Sequence, residues 1–282
     1  MSELLRLFPI PVEAVPLRRL YLLHALRTRG DPSRAFVYAN FIASLDGRIA
    51  INSPRTGSLG IPQAITNPRD WRLFQELAAQ ADVLISSGRY VRELAKGIAQ
   101  DILPLSEEPQ YADLLAWRQA QGLVPQPAII IVSASLDLPI TDALTRNRTL
   151  FVATGEATDS ARVQALERQG IRVLSAGTGR RVQGRPLIEA LQQRGLRTIY
   201  SIAGPEVFGT LLTDRVLDRL YLTHVHRVLA GEHYATLVEG AKLSPPADFK
   251  LHSLYYEALT EDHVGQLFGV YAAVGPSSAE RP

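Results

Sequence analysis

The sequence predicts an α/β fold: a mixed, largely parallel sheet flanked by helices, with antiparallel strands at its C-terminal end. Three observations predict it. Continuous apolar, β-branched runs such as Ala128–Val132 mark strands covered on both faces. Up to about residue 213 such runs alternate with stretches of helical length, the pattern of parallel α/β proteins. Beyond residue 217 the strand-like segments follow one another without intervening helices, so they are expected to pair antiparallel.

Taken in order, residues 1–35 read as an N-terminal arm. Pro9, Pro11 and Pro16 keep its first part extended, residues 17–27 suit a short helix, and Gly30-Asp31-Pro32 ends it with a turn. A first strand over 36–43 runs into a Gly/Ser/Pro-rich loop through Gly57 and Gly60 to Thr66. Asn67-Pro68 opens a helix, because the amide side chain can cap it and proline suits the first turn. Trp71, Phe74 and Leu77 then fall at helical spacing. A buried strand over 83–85 ends in Ser86-Ser87-Gly88. Helices are predicted over 91–99 and 111–121, and strands over 128–132, 150–153 and 171–174, with a helix over 160–169 between the last two. A helix over 186–194 leads to a strand over 198–202, which meets Gly204-Pro205 and a short helix. Strands over 217–225, 250–259 and 266–274 close the domain, assigned to residues 36–274, and residues 275–282 read as a disordered tail.

Composition narrows the function classes. With 282 residues, 46% of them hydrophobic, the chain can bury a substantial core. Net charge is only +2, and no Lys/Arg block concentrates it, so small anionic ligands fit and nucleic acid is not expected. Cysteine is absent, which removes disulfides, thiolate zinc sites and the cysteine-dependent zinc deaminase chemistry. Glu3, Arg6 and Glu13 interrupt any signal-peptide core, and no apolar run reaches membrane-spanning length. A soluble cytoplasmic protein is the expectation.

Two glycine motifs are rejected. Gly177-Thr178-Gly179 lacks the third dinucleotide-fold glycine, since position 182 is Val. Gly204 and Gly209 have P-loop spacing, but Thr210 stands where the lysine must be. Gly204 still lies where a buried strand hands over to a helix, a place that favours an anion and lets it approach closely. It is also the end of a parallel strand at which open α/β sheets hold ligands. The alternative is a tight turn with no ligand. The segment 43–50, Ala-Ser-Leu-Asp-Gly-Arg-Ile-Ala, is a strand end running into an acidic turn, which by itself reads as a capped loop. His224 and His226 share a strand face without a third ligand, so no metal is expected.

Together these blocks resemble the reductase domain of the bifunctional deaminase–reductase of riboflavin biosynthesis. The resemblance runs over residues 36–273. It rests on segment 43–50, on Ile65-Thr66, on segment 81–88 (Ala-Asp-Val-Leu-Ile-Ser-Ser-Gly), on Ala203-Gly204-Pro205 with Leu211-Leu212, and on segment 216–220, all in the right order. The family is similar in fold to dihydrofolate reductase and is typically a homodimer using NADPH. The resemblance implies that Ala43 lies against the nicotinamide. Gly88 and Tyr90 would line the pyrophosphate approach, and Ala203, Gly204, Pro205, Glu206, Val207, Phe208, Gly209 and Thr210 would form the phosphate-binding turn. Ser133, Ser135 and Thr154 would face the adenosine ribose, where hydroxyls suit a 2′-phosphate. Ser44, Thr66 and Ile202 fall at substrate-binding positions. Asp46 is the candidate catalytic carboxylate, with the fixing of its own loop as the alternative.

Departures from the family pattern gather at the substrate end. Ile202 replaces a glutamate, Ala64 a tryptophan and Ala78 an arginine, while Tyr90 with the segment 92–95 replaces a Thr and an Asp-Asp-Pro run. The implied activity is NADPH-dependent reduction of a phosphoribosylamino-pyrimidine by hydride delivery to the sugar carbon. The partner is a small heterocyclic or sugar-phosphate substrate. The alternatives are a pterin- or folate-type reductase and a nucleotide-binding pseudoenzyme.

Overall fold

The computed structural model describes residues 3–29, 33–53, 57–99, 103, 105–106, 108–261 and 263–275. The Gly30-Asp31-Pro32 turn and nearly all of the predicted tail lie outside them. The chain opens with β1 (Glu3–Phe8), β2 (Glu13–Pro16), β3 (Phe36–Ser44), β4 (Ala50–Asn52) and β5 (Leu59–Gly60). Next come α1 (Pro68–Gln80), β6 (Val83–Ser87), α2 (Gly88–Ala95), α3 (Ala112–Ala120), β7 (Ala128–Val132) and α4 (Asp142–Thr145). The α/β alternation continues through β8 (Leu150–Thr154), α5 (Ser160–Arg168), β9 (Arg172–Ser175), α6 (Gly184–Gln192), β10 (Thr198–Ser201) and α7 (Pro205–Thr213). The chain closes with β11 (Arg219–Val225), β12 (Tyr234–Ala235), β13 (Phe249–Glu257) and β14 (Gln266–Ala273).

Eleven strands form one sheet in the order β2-β1-β13-β14-β11-β3-β10-β6-β7-β8-β9. From β11 to β9 every pairing is parallel, and β14, β13, β1 and β2 add antiparallel strands at the other end. This is the predicted mixed sheet, with one correction. The last three long strands do not pair only antiparallel: β11 takes β14 on one edge but runs parallel to β3 on the other, from Arg219 opposite Tyr38 to Val225 opposite Ser44. Because α7 carries the chain back across the sheet, β11 enters in the direction of β3.

Two apolar layers cover the sheet. One face packs Leu73, Leu77, Leu114 and Leu166 of α1, α3 and α5 against Tyr38, Ile129 and Tyr200, with residues 17–26 of the arm in the same cluster. The other packs Leu187, Leu191, Phe208 and Leu211 of α6 and α7 against Val37, Ile85 and Ile199. The central strands read as unbroken apolar runs because both sides are buried.

The arm departs from expectation. Residues 17–27 form no α-helix: two short 3-10 turns, Leu22–His24 and Leu26–Thr28, are separated by Ala25 at φ +49°. The cause is the polar flank of α1. Glu76 accepts from the backbone N–H groups of Arg19 (2.6 Å) and Tyr21 (2.9 Å), while Gln80 accepts from Leu26 N (2.9 Å) and donates to Tyr21 O (2.8 Å). Side-chain partners thus replace the i→i−4 ladder. Nor does the first part of the arm stay single and extended, since β1 and β2 form a hairpin on the edge strand β13.

Candidate active site

A cleft of about 360 Å³ opens at the C-terminal ends of β3, β10 and β6. Phe41, Ile42, Ser86, Ser87 and the turn Ile202-Ala203-Gly204-Pro205 form its floor, and Asp70, Trp71 and Phe74 of α1 form one wall. A separate three-stranded sheet, β12-β4-β5, brings Ala50, Leu59 and Ala235 over it. This is the place where parallel strands leave a crevice for ligands.

Local sequence sets each wall. Asn67 caps α1, accepting from Arg69 N (3.2 Å) and Asp70 N (2.9 Å), with Pro68 in the first turn. That cap fixes where Asp70 and Trp71 emerge. Ser87 accepts from Tyr90 N at 3.4 Å and starts α2, which brings Tyr90, Arg89 and Glu93 to the rim. Arg89 pairs with Glu93 (2.8 Å) and donates to Leu59 O (2.7 Å), bridging α2 to β5.

Gly204 is the N-cap of α7 and has no side chain to satisfy the first-turn N–H groups. Its φ is −73°, so the backbone does not require glycine, and a Cβ built there meets nothing within 4 Å. The turn therefore leaves its first N–H groups open to the cleft, a geometry that fits a phosphate of a nucleotide cofactor. Gly209 has a different reason, since its Cβ would lie 2.7 Å from Glu239 O. Val207 and Phe208 are buried in the core, Glu206 is exposed, and Thr210 bonds back to Glu206 O at 3.1 Å.

Of the residues singled out in the sequence, the cleft brings together Thr66, Tyr90, Ile202, Ala203, Gly204 and Pro205. Ala43 and Gly88 are buried and are not part of its lining, although their neighbours Ile42, Ser87 and Arg89 are. Ser133 and Ser135 follow β7, and Thr154 is the last residue of β8, at the same end of the parallel strands. Their hydroxyls already serve the protein: Ser133 accepts from Leu136 N (3.1 Å), Ser135 from Asp137 N (3.3 Å), and Thr154 meets Thr158 Oγ1 (2.7 Å). Asp46 and Ser44 are outside the cleft lining. Ser44 Oγ donates to Asp46 at 2.5 Å, and the carboxylate also takes Arg48 (2.6 Å), Leu229 N (3.2 Å) and Ala230 N (2.8 Å). The Ser44 hydroxyl is the main reason its pKa falls to about 2, with the two backbone N–H groups adding to it. These bonds describe a carboxylate that fixes the 227–230 loop. The rejected Gly177-Thr178-Gly179 segment serves close backbone packing, with its carbonyls taking Glu156 N (2.7 Å) and Ala157 N (3.1 Å).

Sequence reading missed Asp70. Burial pushes its carboxyl up to about 6, and Thr223 Oγ1, 2.6 Å away, partly opposes that rise. Asn40 was missed as well: Tyr200 donates to its Oδ1 at 2.5 Å. Only Asp70 left a local signal, as an acidic residue in a capped first turn, which usually means helix-dipole complementarity.

Comparison with known proteins agrees with this geometry. Residues 35–264 match the family described as the RibD C-terminal domain. The chain is 22% identical over 213 residues to a 2,5-diamino-6-ribosylamino-4(3H)-pyrimidinone 5′-phosphate reductase of Archaeoglobus fulgidus, covering 73% of this chain and 87% of that protein. A reductase of the same name from Aquifex aeolicus is 26% identical over 126 residues, 45% of this chain and 56% of its own length. Among solved structures, a pyrimidine reductase-like protein of Corynebacterium diphtheriae superposes with a TM-score of 0.62 at 19% identity, covering 86% of this chain and 92% of that one. With the family match running from β3 through β13 and the cleft lying within it, this chain belongs to the RibD C-terminal domain family.

Proposed function

We propose that this protein is an NADPH-dependent reductase of a small amino-pyrimidine bearing a ribose phosphate, working as a cytoplasmic homodimer. Gly204 carries the reading: a helix N-terminus at the mouth of a cleft, with open space where a side chain would stand, which supports a phosphate against its N–H groups. Bound there, the dihydronicotinamide would supply a hydride to the sugar carbon attached to the pyrimidine amine; the ring C–O bond at that carbon would break and its oxygen take up a proton from water, converting the ribosylamino group to a ribitylamino group. The chain's own share is positional. The N–H groups of α7 would hold phosphate, and Ser133 and Thr154 lie along the path to the adenosine ribose. The apolar floor at Phe41, Ile42 and Ile202 would keep water from the reacting carbon. The relatives' names supply the substrate class, and the family resemblance supplies the homodimer. No helix among the described residues is long and apolar enough to cross a membrane.

Ile202, an apolar lining residue where the resemblance places a glutamate, favours a second reading: a reductase for another heterocycle, or a nucleotide-binding pseudoenzyme. One experiment separates these. The protein is titrated with NADPH and NADH by fluorescence, and NADPH absorbance is then followed with the diamino-pyrimidinone and amino-uracil ribosylamine phosphates. Binding with oxidation is the expected result. Failure of both nucleotides to bind would overturn the reading, and binding without oxidation would turn attention to the second.

A further inference from the structure

Resting on the reductase reading, a chain of polar side chains outside the cleft lining bears on how the aromatic wall of the cleft is held. β13 ends at Glu257 and β14 begins at Gln266, and the two face each other in register. Both are buried, at 5% and 1% exposure, so each needs partners. The Glu257 carboxylate pairs with Arg69 of α1, and His263 Nε2 lies 3.4 Å from its Oε1. Its Oε2 accepts from Gln266 Nε2 at 2.6 Å. The second hydrogen of that amide goes to Asn67 Oδ1 at 3.2 Å, and Gln266 Oε1 accepts from Asn67 Nδ2 at 2.9 Å. Asn67 is the cap of α1, one turn before Asp70 and Trp71 in the cleft wall. Glu257 and Gln266 are not part of that lining.

A carboxylate only accepts, whereas an amide accepts at one end and donates at the other. With Glu257 accepting, the Gln266 amide has one orientation: turned over, its oxygen would face both Glu257 and Asn67 Oδ1, acceptor to acceptor. Gln266 in turn selects the orientation of Asn67 that points Oδ1 at the N–H groups of Arg69 and Asp70. The other contact of Asn67 Nδ2, Ile65 O at 3.5 Å, is too long to select it. This cap directs the first turn of α1, where the Trp71 ring stacks on Phe74 with centroids 4.9 Å apart and Asp70 meets Thr223. We propose that Glu257 is a positioning residue for substrate: through Gln266 and Asn67 it sets the α1 wall of the cleft. The nucleotide turn at Gly204 stands on another helix, α7, and does not depend on it. A misplaced wall therefore weakens the hold on a flat ring and leaves the phosphate site as it is.

The test is Glu257→Gln, which exchanges one oxygen for NH2 at nearly constant shape. Arg69 claims the remaining oxygen, so the NH2 group faces Gln266, whose amide must turn over and set its own NH2 against Asn67 Nδ2. KM for the ribosylamine phosphate should rise about tenfold, with kcat within about threefold and NADPH affinity within about twofold of the wild type. Amide hydrogen exchange at Arg69 and Asp70 should quicken by about tenfold. Asn67→Asp in the same background should restore much of both, because a carboxylate offers the helix an acceptor whichever way it turns. A merely structural role would lower the urea midpoint and leave KM and these two amides unchanged. That outcome, or an equal loss of NADPH affinity, would overturn the proposal. Gln266→Leu keeps the Arg69–Glu257 pair and should show the same rise in KM, so it decides the matter if Glu257→Gln does not fold. If the wild type binds NADPH but oxidises it with neither pyrimidine, the reductase reading fails, and exchange at Asp70 still decides whether Glu257 sets the turn.

Discussion

Thr223 Oγ1 donates to Asp70 Oδ1 across 2.6 Å, tying the first turn of α1 to β11 at the edge of the cleft. The bond holds the carboxyl in place, yet burial outweighs it and raises the pKa to about 6. In the window between about pH 4 and pH 6, the folded protein keeps a proton that the unfolded chain has released. Stability should therefore fall as pH rises through that window. Asp70→Asn removes the cost and keeps an acceptor for Thr223. At about pH 8 it should be more stable than the wild type by on the order of 2 kcal/mol, with the gap closing below about pH 4. Urea denaturation at both values measures this, and a gap independent of pH would exclude Asp70 as the titrating group.

Glu76 is fully buried, and it serves the arm as well as Arg72, whose Nε lies 2.9 Å from its Oε1. Arg72 is also held by Asp113 at 2.6 Å and 2.8 Å. Glu76→Ala would strand two backbone N–H groups and unbalance a buried guanidinium, with an expected loss of about 3–5 kcal/mol. Glu76→Gln keeps an acceptor and should lose less. The shift in urea midpoint reads both, and limited proteolysis should cut residues 17–29 of the alanine variant first.

At Gly204 the stability and binding effects should separate. Gly204→Ala meets no atom within 4 Å and needs no positive φ, so its melting temperature should stay within about 2 °C of the wild type. Gly204→Asp puts a carboxylate where phosphate would sit and should weaken NADPH by tenfold or more. Wild-type affinity in a folded Gly204→Asp protein would remove the phosphate from this turn.

The Asp46 carboxylate is held ionised by Ser44 and by the N–H groups of Ala230 and Leu229. Its folded pKa is depressed, so its contribution is complete above about pH 4 and is lost as pH falls towards 2. Asp46→Ala should raise amide hydrogen exchange at Leu229 and Ala230 at pH 7 while leaving nucleotide affinity within about threefold. A large loss of turnover with unchanged exchange would instead return Asp46 to the chemistry.

Much of the fold is legible because its signals are local. Asn67-Pro68 announces the cap of α1, and apolar runs such as Ala128–Val132 announce strands covered on both faces. The arm is not legible for the same reason. Whether residues 17–27 become a helix depends on Glu76 and Gln80, more than fifty residues away, whose side chains offer the backbone other partners. The two-residue strands β5 and β12 carry no periodicity to detect.

The site divides in the same way. By itself the sequence determined the α/β order, the strand–helix turn at Gly204 and the loop around Asp46, since each is written in neighbouring residues. Tertiary structure alone decided what those residues touch. It turned Asp46 towards Leu229 and Ala230, and it left open space beside Gly204. It also made Asp70 a cleft carboxyl by bringing β11 parallel to β3 and setting Thr223 against α1. Burial, hydrogen-bond partners and a raised pKa depend on atoms far apart in the chain, and only the folded sheet brings them within reach.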